Sequence, residues 1–248
     1  LDSTFFWLLL TAAFSALSIG TVVSRRRRIP FSLRRIEAYR TMPLNVDGAV
    51  ESNQRIHFSV GGAAVGQSST LTALAGLSTM YILAERQAFA SNVPIITLTD
   101  PITLAIAQDM LRRAYLSRNN LKTYQANTVI WYPQSERSLA FGAGAATLIR
   151  TRDVSGNILL GEFGPELAFI GEASIRRDTF FVGHSTRLEG QAIAYAQSDN
   201  PLIGEELFVG NAYLTPENPS NMGSVMAMDV LRWVIIAAII LVALVNAN

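Results

Sequence analysis

Residues 56–90 read IHFSVGGAAVGQSSTLTALAGLSTMYILAERQAFA. Ile56–Val60 is a short apolar run of strand type. Ser69–Ala90, rich in Ala and Leu, is long enough for a helix of several turns. Between them lies the glycine-rich turn Gly61–Ser68. A strand, a glycine-rich turn and a helix in that order make the first half of a βαβ unit.

The same order recurs downstream. Val93–Thr99 (VPIITLT) is a second strand, and Pro101 suits the first turn of a helix ending near Arg118. Asn127–Tyr132 is a third strand, followed by a helix over Ser135–Arg150. Asn157–Phe163 and Thr179–Gly183 are the fourth and fifth strands, with helices over Pro165–Ile175 and Arg187–Ser198. Pro201 opens a last helix reaching about Tyr213. Strands alternating with helices of this length predict an α/β fold, a mostly parallel, doubly wound (Rossmann-like) sheet flanked by helices. The strands lack clean alternation, as expected when helices cover both faces.

The two ends differ in kind from this middle. Phe5–Val23 is nineteen residues without a charge, and Arg25, Arg26, Arg27 and Arg28 close it. As a helix it would span roughly 28 Å, close to the hydrocarbon thickness of a bilayer. Arginines after the apolar run, not before it, argue against a cleaved signal and for a transmembrane helix with its basic end in the cytoplasm. Trp233–Val245 is a second apolar run, which needs residues back to about Val225 to cross, with Trp233 as an interfacial anchor. The expected organisation is an N-terminal transmembrane helix and basic stop (1–28), a juxtamembrane connector (29–55), a cytoplasmic α/β domain (56–224) and a C-terminal transmembrane helix (225–248). The expected location is the cytoplasmic (inner) membrane, with the lipid bilayer as one partner.

Composition narrows the chemistry. The chain has 248 residues, no cysteine, two histidines and a net charge of +1. Without cysteine there are no disulfides, no thiol nucleophile and no cysteine metal site. From residue 36 onward 18 acidic residues outnumber 14 basic ones, a poor electrostatic match for nucleic acid. No metal and no cofactor is expected.

In a doubly wound sheet, ligands sit beyond the carboxyl ends of the strands. The spacing Gly61-x4-Gly66-Gln67-Ser68 is that of a phosphate-binding loop with glutamine in the lysine position, so the charge that reaches the β/γ-phosphates is missing. Gly61, Gly62, Gly66 and Ser68 are candidates for cradling an anion. Their competing role is a tight strand-to-helix turn. Asp100 could hold a ribose, but it is also a preferred N-cap before Pro101. Glu162 and Glu166 in GEFGPE could do acid–base work, as could His184 with Ser185, yet no GxSxG elbow accompanies them. Glu205 and Glu206 read as first-turn charges. No catalytic residue is assigned.

Three stretches, Gly161–Glu166 (GEFGPE), Pro201–Leu214 (PLIGEELFVGNAYL) and MAMDVLRWVII near the end, carry a resemblance. With RRIEAYR and HFSVGG upstream, they resemble a family of uncharacterised prokaryotic membrane proteins that carry a domain of unknown function between hydrophobic segments. The resemblance implies membrane association and a shared α/β domain, and no activity. The expected function is a structural or scaffolding component of a membrane-associated assembly, a homo-oligomer or one subunit among others. Its helices are rich in small and apolar residues, as in LAFGAGAATLI. The alternatives are a nucleotide- or ligand-binding sensory domain using the 61–69 loop and, behind it, a membrane-tethered enzyme.

Overall fold

The computed structural model describes residues 33–133 and 139–218. It also describes residues 11, 12, 14, 15, 18, 19, 22, 221, 225, 228, 229 and 232–240. Two compact units result: Arg35–Gly210, and a second formed by residues 1–34 with 211–248.

In the larger unit the elements are α1 (Glu37–Glu51), β1 (Arg55–Gly61), α2 (Thr70–Gln87), β2 (Ile95–Leu98), α3 (Pro101–Ser117), β3 (Val129–Trp131), α4 (Leu139–Thr151), β4 (Val154–Glu162), α5 (Leu167–Arg176), β5 (Phe180–Ser185) and α6 (Leu188–Gln197). A 3-10 turn, Gly204–Val209, leads into the short α7, Gly210–Leu214. The five strands form one parallel sheet in the order β3-β2-β1-β4-β5. The chain therefore starts in the centre, winds out to β3, then returns across β1 to β4 and β5. The α/β expectation holds.

Helices α1, α2 and α3 cover one face of the sheet, where Phe58, Val60, Ile158 and Leu160 meet Gly76 and Met80 of α2. Helices α4, α5 and α6 cover the other, around Phe141, Leu159, Phe163, Ile170 and Phe181. The outer edge of β5 is closed by the segment that follows α6. Asp199 Oδ2 accepts from the Phe181 amide, Ser198 Oγ accepts from the Gly183 amide, and the Leu202 amide donates to Gly183 O. Those groups are no longer open to another strand.

Two parts of the sequence expectation change. The connector at 29–55 contains a fifteen-residue helix, α1, with Pro43 inside it and with Ala38, Tyr39, Met42, Val46 and Ala49 buried. Proline in a helix interior argues for a break, but five buried side chains on one stripe outweigh the one lost hydrogen bond. Tyr39 Oη also donates to Glu206 O at 2.7 Å, tying α1 to the 3-10 turn. The transmembrane helices are the second correction. Among the described residues no helix is long and apolar enough to cross a membrane. The run Phe5–Val23 lies largely outside the described residues, and Arg25–Arg28 wholly so. At the other end the described helical residues 232–240 extend about 14 Å, half of what crossing requires. Asp229 and Arg232, an ion pair at 3.5 Å, interrupt the apolar run just before Trp233.

One polar network threads the otherwise apolar sheet. His57 is fully buried; its Nε2 lies 2.8 Å from Thr97 Oγ1 and its Nδ1 3.0 Å from Asn157 Oδ1. Asn157 Nδ2 donates to Ser174 Oγ and Thr179 Oγ1, so its Oδ1 is left to accept from His57 Nδ1–H. Nε2 then accepts from the Thr97 hydroxyl, and every member is satisfied with a neutral ring. Burial lowers the His57 pKa from 6.5 to about 4. The unfolded chain thus takes up this proton first, and folding stability falls as pH drops from about 6.5 to about 4, by about 3 kcal/mol from this one group. Urea unfolding across that range should show a pH dependence that is shallower by this amount in His57→Gln; parallel curves for the two proteins would show that the ring does not titrate this way.

Candidate functional site

The carboxyl ends of β1 and β4, where the chain reverses its direction of winding, are where a ligand crevice is expected. Here the two strands approach so closely that Gly61 and Gly161 have no room for a side chain. A Cβ on Gly161 would lie 2.0 Å from Val60 O, and one on Gly61 2.4 Å from Glu162 O and 2.6 Å from the Phe163 ring. Gly61 also has φ +59°, a conformation few other residues accept. The register of β1 shifts between Ser59 and Gly61 against both neighbours. Ser59 Oγ donates to Thr97 O and accepts from the Gly61 amide, replacing ladder bonds lost at this bulge.

The glycine-rich loop that follows spends its amides on the protein itself. The Gly62 amide donates to Glu162 O and the Ala63 amide to Val60 O. Those of Ala64, Val65 and Gly66 donate to Ser69 Oγ, Thr103 Oγ1 and Thr70 Oγ1, at 2.9–3.0 Å. A phosphate-cradling loop needs these donors turned outward. Ser68 and Gln67 are exposed. Asp100 is the N-cap of α3: its Oδ2 accepts from the Thr103 amide and hydroxyl, both at 2.7 Å. Thr103 Oγ1, which accepts from Val65, therefore joins the loop to the cap.

The remaining candidates do not converge on this point. Strand alternation places His184 and Ser185 on opposite faces of the sheet. His184 Nε2 donates to Gly204 O at 2.9 Å, its Nδ1 is buried without a hydrogen bond, and burial lowers its pKa. Ser185 Oγ instead donates to Phe163 O and accepts from the amides of Phe163 and Arg187, binding the turns after β4 and β5 together. Glu162 is half-buried at the end of β4. Glu166 is buried, with Oε1 accepting from the Gly164 amide, and Glu206 Oε2 accepts from the Ile203 amide. Ser135, the expected start of the helix after β3, lies outside the described residues. Among the described residues no three His, Cys, Asp or Glu side chains come together.

No local motif shows how the amides are satisfied, because the acceptors are spread over β1, the starts of α2 and α3 and the end of β4. A solitary His, Thr and Asn inside three apolar strands was the available signal for the buried network. Thr103→Val should strand the Val65 amide and cost about 1–3 kcal/mol in urea unfolding, with Thr103→Ser retaining most of the stability. Equal losses in the two variants would show that the methyl group, not the hydroxyl, matters.

No curated protein and no solved structure matches the chain. A family described as a domain of unknown function (DUF6754) matches residues 2–248. The expected resemblance thus holds for the domain of unknown function, while nothing in the match speaks of membranes. The chain belongs to the DUF6754 family.

Proposed function

We propose that this domain is a structural, scaffolding component of an assembly, and that it joins copies of the chain through the outer face of α5 and α6. The observation that carries this reading is the exposed stripe of α6. Leu188, Ala192, Tyr195 and Ala196 stand at i, i+4, i+7 and i+8, one helix face, with Leu188 84% and Tyr195 67% exposed. Helix α5, packed beside α6, exposes Phe169 at 49% and Ile175 at 56%. An outward helix face normally carries charged and polar residues. That is the case on α3, where Asp109 pairs with Arg112 and Arg113. Clustered apolar exposure of the α6 kind marks interaction surfaces.

A second copy is the partner these residues favour. The α6 stripe has no charge of its own, so two copies can meet there without like-charge repulsion, as an isologous contact requires. Ligand binding by the Gly61–Ser68 loop draws no support from its amides, six of which already have protein acceptors.

Sedimentation equilibrium of the full-length chain tests the proposal. Self-association is expected, weakened at least tenfold by Leu188→Glu with the melting temperature little changed, because the side chain touches little in the folded protomer. A monomer at all concentrations, or unchanged association of the variant, would overturn it.

A further inference from the structure

At the end of the sheet opposite the glycine-rich loop, the amino termini of β1, β2 and β3 border a hollow of about 90 Å³ that opens to solvent. Ile95, Ile130 and Leu148 contribute to its lining. Its rim carries Arg55, Arg152 and the carboxamides of Gln125 and Asn127, and no carboxylate lines it. The chain assembles it from four separate segments, so no local motif announces it.

Most arginines of the larger unit are paired with a carboxylate. Arg40, Arg86, Arg112, Arg113, Arg118 and Arg176 each have a carboxylate within 4.0 Å. Arg55, Arg150, Arg152 and Arg177 make no ion pair among the described residues, and of these Arg55 and Arg152 line the hollow. The half-buried Arg55 reaches only neutral acceptors, Val93 O at 3.4 Å and Asn92 Oδ1 at 3.5 Å, both at the outer limit of a hydrogen bond. Tyr115 feels the Arg55 charge, but burial holds its phenol well above its ordinary value, so it supplies no compensating anion. Two guanidinium groups with no carboxylate among the lining residues make an environment short of negative charge. Guanidinium is the side-chain group best matched to the paired oxygens of a carboxylate or phosphate. At about 90 Å³ the hollow has room for an oxyanion head group and is smaller than pockets that enclose a drug-sized ligand.

We propose that this hollow binds a small organic oxyanion. Its phosphate or carboxylate head is held by Arg55 and Arg152, and its hydrocarbon part lies on Ile95, Ile130 and Leu148. The site is separate from the α5–α6 face and does not rest on the assembly reading.

Titration calorimetry of the full-length chain with phenyl phosphate and with benzoate, at matched ionic strength, tests it; the probe that saturates more tightly identifies the head group. Saturable binding is expected, at least tenfold weaker in Arg152→Gln and in Arg55→Gln and unchanged in Arg113→Gln. Arg152 is exposed, so its substitution leaves the fold intact and keeps the test valid even where Arg55→Gln impairs folding. Absence of saturable binding by both probes, or Arg152→Gln binding as tightly as Arg113→Gln, would overturn the proposal.

Discussion

The close approach of β1 and β4 at their carboxyl ends constrains everything around it. With Gly161 against Val60 O and Gly61 against Glu162 O, neither strand can carry a side chain there. The Phe163 ring fills the space beside Gly61, and the bulge after Ser59 turns the chain into a loop whose amides face inward. The loop beyond these strand ends has its amides bonded within the protein. The two proposed sites lie on other surfaces: the outer face of α5 and α6, and the hollow at the strands' amino ends.

A second constraint lies deeper. The Thr97–His57–Asn157 chain crosses three adjacent strands and continues to Ser174 and Thr179 at the end of α5. It is satisfied in one protonation state only, which fixes both the strand register and the seat of α5 against β4. Buried polar networks of this kind are favourable when complete and costly when one member is lost. The helix whose outer residues Phe169 and Ile175 contribute to the proposed contact is thus held from within by hydrogen bonds as well as by apolar packing.

Much of the fold was legible because both faces of the strands are covered. Short apolar runs bounded by Gly, Pro and Asp identify parallel strands almost by themselves, and Asp100-Pro101 marks the start of α3 to the residue. Helix α1 was obscured by Pro43, since a local penalty is visible in sequence and the tertiary burial that offsets it is not. The terminal runs were judged by hydropathy, and the described residues there form no helix of spanning length. For the candidate site the difficulty was directional. His184 and Ser185 are adjacent in sequence and on opposite faces of the sheet, and the loop's spacing is that of an anion cradle while its amides point elsewhere. Arg55 and Arg152 lie far apart in sequence and come together only through the order of the strands.

The central claim is that this chain acts through an exposed helical face while its strand-end loop is closed by internal bonds. Hydrogen–deuterium exchange of the full-length chain, at low and high protein concentration and with added nucleotides, tests it most directly. The account predicts protection gained with concentration across residues 167–197, and no change at residues 61–70 with any nucleotide. Protection that appears at 61–70 on adding nucleotide, with 167–197 indifferent to concentration, would contradict it.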